Sequence, residues 1–325
     1  MLKVGIIGGS GFVAGELIRC LLHHPEVKID FVYSHTNAGE PINKIHQDLF
    51  AYPDLKFTDK VNLNADVVFL CLGHGNSMKF LEQHQFSAKT KIIDLSNDFR
   101  LENDANFSDR KFIYGLVELN KHKIETAQNI ASPGCFATAI QLAVLPLIKY
   151  SAVLNDLHIS AITGSTGAGQ SLTQTTAHSW RTNNISVYKA FTHQHLAEIK
   201  ETISGFRDSE TQEINFIPYR GDFTRGIFSS IYTESEYSEK ELVAMYKDFY
   251  KDAMFTHITM NELNLKQVVN TNHCLIQVQK IGNKVLINSA IDNLLKGAAG
   301  QAIQNMNLMC GLDESLGLKL KANYF

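Results

Sequence analysis

Cys135 ends the run Ala131-Ser132-Pro133-Gly134-Cys135 and opens Phe136-Ala137-Thr138-Ala139-Ile140-Gln141-Leu142-Ala143, which has strong helical character. A thiol at a helix N-terminus is biased toward thiolate by the helix dipole, and the thiolate is the nucleophilic form. That placement makes Cys135 a candidate nucleophile. The other cysteines, Cys20, Cys71, Cys274 and Cys310, sit inside apolar patterns, where a thiol is expected to be buried and inert. An activated cysteine needs a proton-transfer partner. Thr192-His193-Gln194-His195-Leu196, just ahead of a helical stretch, offers two histidines for that role. The same pair could ligate a metal, but no Cys or carboxylate cluster stands at ligand spacing, so no metal is expected.

Anionic substrate groups call for arginine, whose fork matches carboxylate and phosphate. Arg100, in Ser96-Asn97-Asp98-Phe99-Arg100-Leu101, follows a strand end; Arg220 and Arg225 flank Gly221 and Gly226 in a turn. Arg100, Arg220 and Gly134, beside the nucleophile, are the substrate candidates. Gly8-Gly9-Ser10-Gly11-Phe12-Val13-Ala14-Gly15 follows one strand pattern and opens a helical one. There glycines let the backbone approach a pyrophosphate, and helix N–H groups bind it. Gly8, Ser10, Gly11, Phe12 and Val13 are therefore the cofactor candidates; a tight turn with no ligand is the alternative. The second strand pattern ends Phe31-Val32-Tyr33-Ser34-His35-Thr36-Asn37 without a carboxylate for the ribose hydroxyls of NAD. Ser34 and Thr36 suit a 2′-phosphate instead, so NADP(H) is expected, with Asp30 in the same strand as the residue that could reverse the reading. His74, between two glycines after a strand, lines the same crevice. Gly164-Ser165-Thr166-Gly167-Ala168-Gly169 lacks the Lys of a P-loop and reads as a flexible active-site loop.

These residues need a frame. Strand patterns at residues 2–8, 27–33, 66–72 and 90–95, with a helical pattern at 12–23, imply an α/β fold with a Rossmann-type, doubly wound parallel sheet. Residues 156–163, 212–233 and 272–291 alternate as strands with one solvated face do, which implies a second, catalytic α+β domain of mixed or antiparallel sheet. Residues 293–308 carry small and apolar residues at helical spacing and read as one packed helix that returns to the first domain. The expected division is residues 1–134 with 298–325 for NADP, and 135–297 for catalysis and dimerisation. At 325 residues two domains are the ordinary expectation, and 44% hydrophobic residues supply their cores. With 30 Lys and Arg against 33 Asp and Glu, the net charge of -3 gives no footprint for nucleic acid or an anionic membrane. An odd, scattered set of five cysteines and an opening strand in place of a basic-then-apolar leader point to the cytoplasm.

The motifs together resemble the N-acetyl-gamma-glutamyl-phosphate reductases of arginine biosynthesis along nearly the whole chain. The likeness is carried by residues 8–15, Ser96-Asn97-Asp98-Phe99-Arg100-Leu101, Tyr114-Gly115-Leu116-Val117-Glu118-Leu119, Ser132-Pro133-Gly134-Cys135, residues 164–169, His193-Gln194-His195-Leu196-Ala197-Glu198-Ile199, Arg220-Gly221 and residues 292–302. The resemblance implies that Cys135 is the nucleophile and His193 the acid/base, with His195 in reserve as a substrate contact. It further implies NADP as cofactor, Asn293 near the nicotinamide, and a homodimer or homotetramer. The chain departs from the family pattern at Gln194, Ala197 and Phe136-Ala137, where Arg, Pro and Tyr-Pro are usual.

The implied reaction is NADPH-dependent reduction of an N-acyl-gamma-glutamyl phosphate, acetyl or succinyl, to the 5-semialdehyde through a Cys135 thioester, releasing phosphate. Two rivals are an aspartate-semialdehyde dehydrogenase-like reductase and a non-catalytic dinucleotide-binding redox sensor. A sensor needs only the thiol and leaves the histidines and arginines unexplained. A cysteine hydrolase leaves the glycine loop unexplained.

Overall fold

A computed structural model of the chain describes residues 1–206 and 213–325. Residue 212, first of the alternating run 212–233, lies outside the described residues. Two units emerge, Met1–Gly134 with Ala298–Lys319, and Cys135–Gly297 with Leu320–Phe325. The final six residues thus group with the second unit, where Asn323 N donates to Val269 O at 3.1 Å and Asn270 Nδ2 to Lys321 O at 3.2 Å. The helices are α1 (Phe12–Leu21), α2 (Ser77–Gln83), α3 (Val117–Glu125), α4 (Cys135–Lys149), α5 (His178–Arg181), α6 (His195–Ser204), α7 (Glu239–Phe249) and α8 (Gly300–Met309).

In the first unit, β1 (Leu2–Ile7), β2 (Val27–Tyr33), β3 (Phe57–Thr58), β4 (Val67–Leu70), β5 (Lys91–Asp94), β6 (Asn106–Phe107), β7 (Arg110–Tyr114) and β8 (Asn129–Ala131) form one sheet, ordered β3-β2-β1-β4-β5-β8-β7-β6. Only the β6–β7 pair is antiparallel. Every residue of β4 is buried, so both faces of the sheet are covered, as a parallel sheet requires. Ile7, Val68, Leu70 and Ile92 pack with Phe80 and Leu81 of α2. α8 packs on β5, α1 and α3. Two of its buried polar side chains tie it to the rest of the unit: Asn305 Nδ2 donates to Gly115 O at 2.9 Å, and Asn307 Oδ1 lies 2.9 Å from His24 Nε2. The chain leaves β1 for β2 on one side and reaches β4 on the other, so the loops after β1, β2, β4 and β5 gather at one edge around a topological switch point.

In the second unit, β9 (Leu157–Thr163), β10 (Ser186–Val187), β11 (Ile214–Arg220), β12 (Ile227–Glu234), β13 (Thr256–Thr259), β14 (Cys274–Ile281) and β15 (Lys284–Ile291) form a mixed sheet, ordered β10-β11-β9-β12-β15-β14-β13. Burial alternates along β9, β11 and β12, so one face is the core. α4 fills that face and is buried on all sides from Phe136 to Ile148. Pro146 within α4 lacks an N–H and leaves the carbonyl of Leu142 without its helical donor. Tyr250 supplies one: its hydroxyl donates to Leu142 O at 2.5 Å, while Tyr246 donates to Ala143 O and Ser289 to Ala139 O. The single helix expected over 293–308 is instead a π-helical turn, Leu295–Ala299, followed by α8. Asp292 starts the turn: its Oδ1 accepts from Leu294 N at 2.8 Å and Leu295 N at 3.1 Å and so takes over the first donors.

Candidate active site

Cys135 is the first residue of α4 and is partly exposed, whereas Cys20 and Cys274 are buried. Burial pushes the Cys71 thiol well up, with the Asp94 carboxylate adding to the rise, and burial lifts Cys310 to about 11. Those thiols stay protonated and inert. Gly297 closes the other side of Cys135: a Cβ built on it would come within 2.8 Å of Cys135 Cβ, so only glycine lets the π turn approach the nucleophile this closely. No local sequence signal pointed to Gly297 as a neighbour of the thiol.

Phe136, next to Cys135, brings the two histidines to the same place, its ring centroid lying 5.3 Å from His193 and 6.2 Å from His195. The two imidazoles are 4.6 Å apart and both are buried. Burial, reinforced by Lys189 and Arg220, pushes His193 down to about 4, so its ring is neutral at physiological pH. His195 N donates to His193 Nδ1 at 3.2 Å. A neutral ring that accepts at Nδ1 carries its proton on Nε2, which makes Nε2–H the donor of His193. His195 begins α6, its Nε2 4.0 Å from Glu198 Oε1. The turn delivering the pair holds two non-glycine residues in the left-handed region, Lys189 at φ 46° and Phe191 at φ 58°. Such backbone conformations gather where the surrounding fold over-determines a site. Lys189 Nζ donates to Gln194 Oε1 at 3.1 Å, which gives Gln194 its place between the histidines.

Tyr188, missed from sequence, joins these groups. Its ring lies 5.7 Å from that of His193, and the Arg220 guanidinium stacks over it at 4.0 Å. The pairing of Ser186 with Arg220 across β10 and β11 sets that register. Burial raises the Tyr188 phenol, charge on Cys135 raises it further, and Arg220 and Arg181 oppose the rise. Tyr188 therefore stays a neutral hydroxyl within electrostatic reach of Cys135. Arg181, also missed, is buried in the same cluster.

The remaining predicted residues of the second unit hold its loops. Asn293 Oδ1 accepts from Gly226 N at 2.6 Å, and its Nδ2 donates to Thr166 Oγ1 at 3.1 Å. Arg225 is committed to the buried Asp292 carboxylate at 3.0 Å, so it is a structural partner and not a substrate ligand. The segment expected to be a flexible loop at 164–169 is a short 3₁₀ turn over Ser165–Ala168, pinned by Ser165 N to Phe223 O at 2.9 Å and Thr166 N to Thr224 O at 3.0 Å.

In the first unit, Gly8 has φ 79°, and a Cβ there would meet Cys71 O at 2.7 Å, which forces glycine at the end of β1. Gly11 is the extended N-cap of α1 and offers no side-chain cap, so Ser10, Phe12 and Val13 border a helix start of the kind that binds an anion through its first N–H groups. This cradle fits a dinucleotide pyrophosphate. Ser34 and Thr36 follow β2, both accepting from Asn37 Nδ2, at 3.2 and 3.1 Å. Asp30 lies within the strand and accepts from Asn62 Nδ2 at 2.7 Å, leaving the strand end without a carboxylate. His74 Nδ1 accepts from Asn97 N at 3.2 Å, and Asp98 takes Gly75 N at 2.6 Å, which joins the loops after β4 and β5. Arg100 is buried and donates from Nε to Ser132 O at 2.8 Å and from Nη2 to Leu95 O at 3.3 Å, steadying the Ser132-Pro133-Gly134 approach. Among the described residues no group of three or more His, Cys, Asp or Glu could hold a metal ion.

Comparison with known proteins accounts for the whole chain. Residues 3–127 match the family model described as semialdehyde dehydrogenase, NAD binding domain, and residues 135–293 match that described as semialdehyde dehydrogenase, dimerisation domain. An aspartate semialdehyde dehydrogenase II from Vibrio cholerae shares the fold, with a TM-score of 0.72 at 16% identity, covering 96% of this chain and 99% of that one. An aspartate semialdehyde dehydrogenase with NADP from Candida albicans aligns with a TM-score of 0.70 at 13% identity, over 95% of this chain and 98% of that one. Relatives named N-acetyl-gamma-glutamyl-phosphate reductase, from Flavobacterium johnsoniae at 58% identity and Christiangramia forsetii at 57%, align over 100% of both chains. A third, from Bacteroides thetaiotaomicron, is 52% identical, again over 100% of both. With that identity sustained from end to end, the chain belongs to the N-acetyl-gamma-glutamyl-phosphate reductase family.

Proposed function

We propose that the chain reduces N-acetyl-gamma-glutamyl phosphate to N-acetyl-glutamate 5-semialdehyde with NADPH, releasing phosphate. The observation that carries this reading is a partly exposed thiol at a helix N-terminus, next to a phenylalanine that touches two buried histidines. The Cys135 thiolate attacks the acyl carbon, the carbon–oxygen bond to phosphate breaks, and phosphate leaves with that electron pair. When bound, NADPH supplies a hydride to the carbonyl carbon of the resulting thioester. His193, neutral and protonated at Nε2, donates to the oxygen that gains negative charge. Collapse to the aldehyde returns the bonding pair to Cys135 sulfur. Tyr188, kept neutral by burial, is a hydroxyl within electrostatic reach of Cys135, and Arg220 and Arg100 are assigned to the anionic ends of the substrate.

Residues 8–13, Ser34, Thr36, His74 and Asn293 are assigned to the cofactor. NADP is preferred over NAD because hydroxyls and no carboxylate follow β2. A homodimer or homotetramer is expected through the second unit, a reading supported by the dimerisation-domain description matched over 135–293. A cytoplasmic location is supported by five cysteines without a disulfide and by the lack, among the described residues, of a helix long and apolar enough to cross a membrane.

The test runs the reaction backward. Purified protein with phosphate and NADP+ is offered N-acetyl-glutamate semialdehyde, its N-succinyl analogue and aspartate semialdehyde. Phosphate-dependent NADPH formation with an N-acyl-glutamate semialdehyde, abolished in Cys135→Ala, is expected. Turnover of aspartate semialdehyde alone, or substantial activity in Cys135→Ala, would reject the reading.

A further inference from the structure

Arg181 is the last residue of the four-residue α5, and it is only 9% exposed. Its Nε, Nη1 and Nη2 have no hydrogen-bond partner among the described residues. Buried guanidinium groups are normally paired, because an unpaired buried charge costs several kcal/mol and buried donors are nearly always satisfied. The charged groups acting on Arg181 are Arg220, which is of like sign, and Tyr188, a neutral phenol. Among the described residues, the groups acting on Arg181 thus include a second cation and no carboxylate, around the tyrosine that also feels Cys135. A fold that keeps such a cluster is built for an anion it does not itself provide.

We infer that Arg181 is a substrate-binding residue that acts with Arg220 to hold a carboxylate of the substrate. This rests on the acyl-phosphate reduction proposed above. The phosphate of that substrate is bonded to the carbon that Cys135 attacks and must lie against the sulfur. Its carboxylate lies at the far end of the glutamyl chain. Tyr188 stands in contact with Arg220 and within electrostatic reach of both Cys135 and Arg181, so the two cations share the surroundings of one tyrosine, and the group they hold is assigned to the remote carboxylate. A carboxylate on the N-acyl group would satisfy the same chemistry, and the experiment separates the two sources.

Arg181→Met and Arg181→Lys are compared with the unaltered protein in phosphate-dependent NADP+ reduction. The aldehydes are N-acetyl-glutamate semialdehyde, its N-succinyl analogue, and 4-acetamidobutanal, which lacks the α-carboxylate. Loss of a charge-assisted bond is expected to raise KM for the carboxylate substrates about 10- to 100-fold in Arg181→Met, with a much smaller fall in kcat and partial recovery in Arg181→Lys. KM for phosphate should stay unchanged, and 4-acetamidobutanal should be handled equally by all three proteins. A rise in KM shared by both N-acyl substrates identifies the α-carboxylate; a rise confined to the succinyl substrate identifies the acyl end. Without substrate, Arg181→Met should melt no lower than the unaltered protein, because an unpaired buried charge has been removed.

Unchanged KM for both N-acyl substrates, a rise in KM for phosphate alone, a lowered melting temperature or failure to fold would each overturn the inference. Silence of the unaltered protein with every aldehyde would instead bring down the reduction reading and this inference with it.

Discussion

His193 is a histidine made into a hydrogen-bond donor. Burial holds it near 4, and the His195 N–H occupies Nδ1, so the ring is neutral with its proton on Nε2 throughout the physiological range. Titration of the His193 ring followed by NMR should give a midpoint near 4, and a value near the ordinary 6.5 would refute the neutral-donor role. Gly297 provides a second residue-scale prediction. Gly297→Ala forces Cys135 to shift, and a displaced nucleophile should lower kcat by about 100-fold while the protein still folds; kcat close to that of the unaltered chain would mean the contact has slack. Cys135, His193 and the arginines could be singled out as candidates because residue type and local spacing carry their chemistry. Tyr188, Arg181 and Gly297 were not, since each matters through a neighbour distant in sequence. The burial of Arg181 in particular cannot be read from Ser179-Trp180-Arg181-Thr182, a stretch with no apolar period.

At the scale of elements, α4 shows how the nucleophile's support is made. Its helical run was visible from the cysteine onward, but the reason it tolerates Pro146 lies in α7 and the residue after it. Tyr250→Phe removes the donor to the buried Leu142 carbonyl and should cost about 1–3 kcal/mol of stability with kcat intact, as measured by denaturant unfolding and steady-state assay. An unfolding midpoint that does not move would show that the carbonyl is satisfied otherwise. The strands read from periodicity, β1, β2, β4, β5, β9, β11, β12, β14 and β15, lie within a few residues of where they were expected, whereas the short β3, β6, β7, β8, β10 and β13 were not read. The π turn before α8 and the pinned 3₁₀ turn at 165–168 were not, because both are decided by long-range bonds, to Asp292 in one case and to Phe223 and Thr224 in the other.

For the whole molecule, a parallel sheet with both faces covered and a mixed sheet with one core face appear in the sequence as continuous and alternating apolar runs, so the fold class was legible where its details were not. The buried histidines also give the molecule a pH signature. His193 and His273 are both pushed down to about 4 by burial, so between 4 and 6.5 the unfolded chain binds protons that the folded chain refuses. Their contribution to stability is therefore complete above 6.5 and is lost as pH falls toward 4. Asp94, raised to about 6 by burial, acts the other way, holding a proton the unfolded chain releases. Burial lowers His24 as well, so with three histidines against one carboxylate the melting temperature should climb from pH 4 to 6.5, and the climb should flatten in His193→Gln; a flat profile in the unaltered protein would contradict the burial of neutral rings.

The central claim is a covalent acyl group on one sulfur. Intact-protein and peptide mass spectrometry after mixing the protein with NADP+ and N-acetyl-glutamate semialdehyde, with phosphate withheld, tests it directly. The account predicts an N-acetylglutamyl adduct on the peptide carrying Cys135 that disappears on adding phosphate. Phosphate-dependent turnover with no adduct on that peptide, or with the adduct on another cysteine, would contradict it.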